Sequence, residues 1–330
     1  MAVKYVGTQK AESVARGPLV PLGIGHVSDD TEFALFTWGT ILRRRALRPC
    51  AGTGPEMDKT EYALTFACYG QLDYTRQCIE SMVRHGTPLD RLVVVDNGSK
   101  DATREYLATL PLGGRIYNSD NLGCGVAWNQ GALALQAEWT IVMNNDVLVS
   151  PGWIESLIGA ARGSGLRVIS PALVEGELGY DFEALAPEAS RKMRDALRRG
   201  WCHAVCMAIH RSVWLDVGYF QPVPRLLGYE DSLFFHEMAK AGIAGGTTGA
   251  SWLHHFGSIT QSAMKQERGL RQKDNLGPRH NYRLLRKSWL QRKLDKTRLL
   301  RQQQEWHDQE MARYGMTMRG YCRDGAIEWG

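Results

Sequence analysis

The sequence predicts a doubly wound α/β domain with a mostly parallel sheet, and three observations carry that prediction. From Tyr62 onward, apolar runs of strand length alternate with helix-length segments. The runs "RLVVVD" and "WTIVMNN" are nearly continuous in apolar residues, the pattern of strands buried on both faces. Each run stops on polar residues and a turn, and open parallel sheets hold ligands beyond the carboxyl ends of their strands.

Taken in order, residues 1–58 have weak periodicity: the turn-rich "RGPLVPLGIG", a short helical stretch "TEFALFTWGTILRRRAL" and the linker-like "PCAGTGPEMDK". They are expected to form an extension packed on the core. The core, residues 59–258, opens with the strand "YALTFACY", the helix "LDYTRQCIESMVRHG", the strand "RLVVVD", the helix "DATREYLATL" and the short strand "RIYN". A helix through "VAWNQGALALQA", the strand "WTIVMNN", the helix "PGWIESLIGAARG" and the strand "RVISPAL" follow. Residues 175–200 are expected to be an irregular excursion ending in the basic helical piece "EASRKMRDALRRG". Then come the strand-like "WCHAVCMAIH", the helix "SVWLDVGYF", the loop "QPVPRLLGYED", the helix "DSLFFHEMAKAGI" and the closing strand "AGGTTGASWLHH". Residues 259–330 are polar and basic and are expected to be helical.

Composition bounds the class. A chain of 330 residues with 44% hydrophobic and 23% charged residues has ordinary globular composition and can bury a large core. The formal charge of +5 is mild and comes mostly from near the C-terminus. No apolar run approaches the roughly 18 to 20 residues of a membrane span, and the N-terminus lacks an apolar signal core. The seven cysteines lack the paired CxxC spacing of structural zinc sites, and several sit in apolar stretches as small hydrophobes. A reducing, cytoplasmic location is the simplest expectation.

The chemistry-bearing groups cluster at strand ends. Asp96 closes "RLVVVD" and is followed by the turn Asn97-Gly98-Ser99. Asp146 follows "TIVMNN", after Asn144 and Asn145, and lies at the same predicted sheet edge. Between them, Asn121, Gly123, Gly125, Asn129 and Gly131 recur at short intervals, where glycines permit close approach and asparagines offer donors and acceptors. This is not the GxGxxG dinucleotide fingerprint.

Four segments in order, "VVVDNGSKDAT", "NLGCGVAWNQGALAL", "IVMNNDVLVSPGWIESL" and "GYEDSLFFHEMAKAGI", together resemble the inverting glycosyltransferases of family 2, of GT-A fold. The resemblance covers roughly residues 60–256. It implies that Asp96 accepts a hydrogen bond from a uracil or thymine base, that Ala67 and Tyr69 wall the nucleotide, and that Asn97, Asn121, Gly123, Asn129 and Asn145 also belong to the donor site. Asp146 matches the last acid of a DxD metal motif, Asp231 the catalytic base, and His254 or His255 a late histidine of the metal or diphosphate site. Adjacent strand residues face opposite ways, so one of the two histidines is expected to serve, and His255 is preferred.

The implied reaction is transfer of a sugar from a UDP- or dTDP-sugar to an acceptor hydroxyl. Mn2+ or Mg2+ would stabilise the charge growing on the departing diphosphate, and one carboxylate with one imidazole would suffice to hold it. Glu230, Trp201, His203 and Arg225 are further expected contacts of donor or acceptor, weighed against a second-shell acid, a core aromatic, a satisfied core histidine and a surface arginine. Three departures from the family stand out: the metal motif keeps one acid, Leu233 replaces a frequent second acid, and "WCHAVCM" precedes "AIHRSVW" where a glycine is usual.

For the acceptor, a saccharide on a lipid carrier is the leading expectation. The stretch "NYRLLRKSWLQRKLDKTRLLR" would be a helix with a basic face, packed on the domain or lying at a membrane surface. A hydroxylated base in DNA is the alternative acceptor, which would have to be flipped from the stack. A non-catalytic sugar-nucleotide-binding protein is the second alternative. A nucleotidyltransferase is disfavoured because "ACYGQLDYTRQC" has one glycine and no lysine, and a glycoside hydrolase because it needs paired carboxylates without a nucleotide.

Overall fold

The computed structural model describes residues 60–134, 137–222, 230–257, 259–267, 269 and 288–330. The expected N-terminal extension and Arg225 lie outside the described residues. Strands β1 (Thr60–Cys68), β2 (Leu92–Asp96), β3 (Gly114–Tyr117) and β4 (Ala137–Asn144) pair in parallel in the order β3-β2-β1-β4. Helices α1 (Leu72–Arg84), α2 (Thr103–Ala108) and α3 (Cys124–Ala134) make the crossovers that parallel neighbours require. All five residues of β2 are buried, as its continuous apolar run requires.

Beyond β4 the sheet becomes mixed. After the short β5 (Val147–Val149) and α4 (Trp153–Ser164), β6 (Val168–Gly176) pairs at its start with β8 (Cys206–His210), which lies antiparallel between β4 and β6. Strand β9 (Gly245–His255) runs parallel to β6 from Val168 to Glu175 and pairs antiparallel with β5 and with β7 (Leu197–Arg199). Helices α5 (Phe182–Lys192), α6 (Arg211–Val217) and α7 (Glu230–Lys240) fill the connections.

Strand alternation sends successive residues to opposite faces. Leu64, Phe66, Ile141 and Met143 pack with Ile79, Met82, Trp153 and Leu157 of α1 and α4. Val142, Met207 and Ile209 pack on the other face with Trp128, Trp214, Phe234 and Met238 of α3, α6 and α7. Close approach of α3 to β1 depends on Gly131, where an added Cβ would sit 1.8 Å from Thr65 Oγ1.

Two expectations need correction. Residues 175–200 are not irregular: Asp181 caps α5 by accepting from Ala184 N at 3.0 Å, and β7 follows. The C-terminal region is also more than a basic helix. After α8 (Ile259–Glu267) and α9 (Trp289–Tyr314), β10 (Arg319–Arg323) and β11 (Ala326–Trp329) form a hairpin. The hairpin joins the core sheet because β10 pairs in parallel with β6, Arg319 opposite Leu173. Its turn is Asp324-Gly325, with φ of 49° and 77°, the left-handed pair that a two-residue hairpin loop needs.

An enclosed ion pair fixes α9 to this sheet. Arg198 of β7 donates from Nε and Nη2 to both oxygens of Glu310, at 2.7 and 2.8 Å, and Met318 N donates to Glu310 at 2.7 Å. Removing one partner would leave a buried charge unpaired. Glu310→Ala is therefore expected to cost roughly 3–5 kcal/mol in urea unfolding.

Candidate functional site

The site forms where β4 and β9 end together. β4 gives out at Asn144, and after Asn145 and Asp146 the chain enters β5, whose Val147 pairs with His255. Phe256 N donates to Asp146 O at 3.0 Å, closing the pairing. Asp146 and His255, over a hundred residues apart in sequence, are thereby brought to 3.4 Å, Oδ1 to Nε2. Asn144 Nδ2 lies 3.3 Å from the same ring nitrogen. On the ring's far side, Nδ1 is 3.8 Å from Glu175 Oε2, and the β6–β9 register pairs Glu175 with His255 directly. Glu175 also accepts from Arg319 Nη2 at 3.0 Å, so the C-terminal hairpin supports this corner.

The electrostatics follow from that enclosure. Burial opposes charging of His255, but the Asp146 and Glu175 carboxylates close to its two ring nitrogens outweigh burial and raise its pKa to about 9. Glu175 is held below the usual carboxylate range chiefly by its contact with the His255 ring, against the effect of its own burial, with Arg319 adding to the lowering. Two carboxylates thus converge where positive charge is required. The donor set fits a hard divalent cation that takes the rest of its shell from phosphate and water: Asp146 oxygen and His255 Nε2 would face it, with Glu175 orienting the ring from behind. Among the described residues no group of three or more His, Cys, Asp or Glu converges as an all-protein metal cage.

Two cavities meet at this corner. The smaller, about 130 Å³, is walled by Ala67, Tyr69, Asn97, Asn121, Asn145 and Asp146, together with Thr260, Gln261 and Met264 of α8. The larger, about 870 Å³, is walled by Trp128, Trp201, His203, Asp231 and Phe235 among others. Cys124, Asn144, Glu230, His255 and Gln261 line both. Glu230 and Asp231 open α7, and burial raises the pKa of each above the ordinary value. Asp231 accepts from Ser232 N at 2.7 Å, and Glu230 Oε2 has no hydrogen-bond partner among the described residues.

Most expected residues therefore gather in one cleft, and four do not. Asp96 is fully buried at the end of β2, its carboxylate taken by Arg104 Nε and by Ser99 N at 3.2 Å, so it braces the loop from behind while its neighbour Asn97 walls the cavity. Asn129 is committed to the backbone of Phe220, donating to its O at 2.8 Å and accepting from its N at 3.1 Å. Gly123 has φ of 90° and serves the turn, its N donating to Asn121 Oδ1 at 2.9 Å. His254 faces away from His255, its Nδ1 3.0 Å from the Tyr180 hydroxyl, and burial lowers its pKa to about 4. His203 does wall the larger cavity, yet its Nε2 is engaged by Pro171 O at 2.7 Å.

Sequence reasoning missed Glu175 and helix α8. Glu175 carries no local signal, since its role arises from strand register across some eighty residues. Helix α8 lies over the smaller cavity: Asn121 Nδ2 donates to Met264 Sδ at 3.4 Å, and Glu267 accepts from Tyr69 Oη at 2.6 Å and from Lys100.

Comparison with known proteins places this cleft in context. The family described as Glycosyl transferase family 2 matches residues 66–223. The succinoglycan biosynthesis protein ExoO of Rhizobium meliloti is 31% identical over 117 residues, 34% of this chain and 34% of that protein. An uncharacterized glycosyltransferase of Rickettsia felis is 24% identical over 184 residues, 49% of this chain and 29% of that protein. The matched stretch thus spans about a third of the length of these curated relatives. Among solved structures, GalNAc-T7 with UDP, GalNAc and Mn2+ aligns with a TM-score of 0.47 at 14% identity, over 73% of this chain and 56% of that one. The mannosyltransferase PcManGT of Pyrobaculum calidifontis with GDP-Man and Mn2+ aligns at 0.43 and 17% identity, over 72% and 70%. Residues 66–223 are thus similar to a glycosyl transferase family 2 domain, and they lie on the mostly parallel part of the α/β sheet described above.

Proposed function

We propose that the protein is a metal-dependent inverting glycosyltransferase that moves a sugar from a nucleoside diphosphate sugar, with uridine or thymidine as the expected base, to an acceptor hydroxyl. The observation that carries the reading is the junction of the two cavities at Asp146 and His255, with Asp231 in the larger one. A nucleotide in the smaller cavity would set its diphosphate at that junction. Bound there by Asp146 and His255, Mn2+ or Mg2+ would neutralise the charge developing on the diphosphate. An acceptor in the larger cavity would present its hydroxyl to Asp231. As the acceptor oxygen bonds to the anomeric carbon, the bond to the diphosphate breaks on the opposite face and the proton passes to the Asp231 carboxylate. Trp128, Trp201 and Phe235 suit the apolar face of a saccharide or the start of a lipid carrier.

The smaller cavity is below the roughly 300 Å³ at which ligand pockets begin. Donor entry therefore requires α8 to shift, releasing Met264 and the Glu267 contacts to Tyr69 and Lys100. The pyrimidine preference now has no carboxylate at the cavity wall to carry it, because Asp96 is occupied elsewhere.

Asp231→Asn is expected to lower kcat by 10²- to 10⁴-fold while donor binding persists, and loss of donor binding instead would make Asp231 a structural residue. Because a protonated base cannot accept, and burial raises Asp231 above 3.8, kcat/KM should fall with decreasing pH along a limb that inflects above that value. A screen of nucleotides by thermal shift should give a rise with Mn2+ present that is lost in Asp146→Ala. Addition of nucleotide and Mn2+ is expected to speed hydrogen exchange in residues 259–267, and Glu267→Gln to speed it about tenfold without ligand.

A further inference from the structure

Helix α9 runs for 26 residues and its two halves have different surroundings. Near its C-terminal end Glu310 is locked to Arg198, and Trp306 lies 6.4 Å from Trp201, which walls the larger cavity. The first half, residues 289–301, contains no buried residue. Trp289, Leu290, Leu294, Leu299 and Leu300 are 63%, 62%, 51%, 40% and 55% exposed. A capping box keeps this half helical to its end: Ser288 N donates to Gln291 Oε1 at 2.9 Å, and Gln291 N to Ser288 Oγ at 3.3 Å.

The exposed groups are ordered around the helix. At about 100° per residue, Trp289, Leu290, Leu294 and Leu300 fall within an arc of roughly 140° that also holds Lys293 and Arg301, while Leu299 falls outside it on the side of Asp295. Arg292 and Lys296 flank the arc on one side and Arg298 on the other. Asp295, the one acid between Trp289 and Arg301, sits on the opposite side.

We propose that this face docks on an anionic lipid bilayer. Charge complementarity selects an anionic partner. The leucines and Trp289 select a bilayer over a nucleic acid, since a phosphate backbone would satisfy the cations and leave the apolar groups in water, whereas the interfacial zone takes up both. Lys293 and Arg301 within the arc reach the headgroups by extending their stems along the apolar surface. Among the described residues no helix is long and apolar enough to cross a membrane, so the contact lies in the plane of the surface. The Trp306–Trp201 contact then holds the larger cavity beside that surface, which would serve an acceptor carried in the same bilayer. That last consequence rests on the proposed reaction, while the docking does not.

The test is co-sedimentation of the full chain with vesicles of phosphatidylcholine alone and of an equimolar mixture with phosphatidylglycerol. Binding is expected to the anionic vesicles only, and to weaken with salt. Lys293→Gln/Lys296→Gln/Arg301→Gln should weaken it roughly fivefold per residue removed. Leu290→Ser/Leu294→Ser/Leu300→Ser should weaken it as well, with an unchanged melting temperature for both variants because every altered side chain is exposed. Absence of binding to anionic vesicles, or binding unchanged in either variant, would overturn the proposal. Tighter retention by duplex DNA than by anionic vesicles would also overturn it and assign the face to nucleic acid. If vesicle binding holds while no donor releases nucleoside diphosphate, the docking face stands and the sugar-transfer reading falls.

Discussion

Three residue pairs of antiparallel strand, Val147 to Val149 against Leu253 to His255, hold the cleft together. Without them Asp146 would sit on a loop after β4, untied from His255, which β6 alone would hold from its other side. With them, both side chains are buried and held 3.4 Å apart on hydrogen-bonded backbone. β6 runs parallel to β9 and adds Glu175 behind the imidazole, and β10 adds Arg319 behind Glu175. The geometry of the corner is thus set by strand register, which is far stiffer than loop geometry.

That stiffness has an electrostatic purpose in the proposed reaction. Burying two carboxylates around one imidazole would be unfavourable unless positive charge were present, and the protein satisfies this with a ring whose pKa is raised to about 9. A divalent cation could take the place of that charge once the ring gives up its proton, because a metal-ligating imidazole must be neutral and the carboxylates are already oriented. On the other side of the cleft, burial raises the pKa of both Asp231 and Glu230. In the proposed reaction the cleft would thus have one corner for the diphosphate's cation and one wall to take up a proton.

Much of this was legible in the sequence because it is local. Uninterrupted apolar runs marked β2 and β4, and the polar residues ending them marked the sheet edge where Asn97, Asn145 and Asp146 stand. Strand alternation alone implied that one of the two adjacent histidines would face the cleft, and His255 is the one beside Asp146. What escaped was non-local. Asp96 looked like a ligand although its partner Arg104 stands only eight residues on, because the loop between them does not announce that the arginine folds back, and Asn129 because its partner is the backbone of Phe220, 91 residues away. The C-terminal hairpin did carry a local signal, Asp324-Gly325 between alternating residues, but the basic helix before it dominated the reading. Glu175 was invisible for a deeper reason: its position opposite His255 exists only once β6 and β9 have chosen their register.

The account's central claim is that Asp146 and His255 jointly hold a cation against a nucleoside diphosphate. Pulsed electron paramagnetic resonance of Mn2+ bound with UDP to protein carrying ¹⁵N-histidine tests it most directly. The account predicts a ¹⁵N hyperfine coupling that disappears in His255→Gln and persists in His254→Gln. A Mn2+ signal with UDP but no histidine nitrogen coupling, or a coupling that survives His255→Gln, would contradict it.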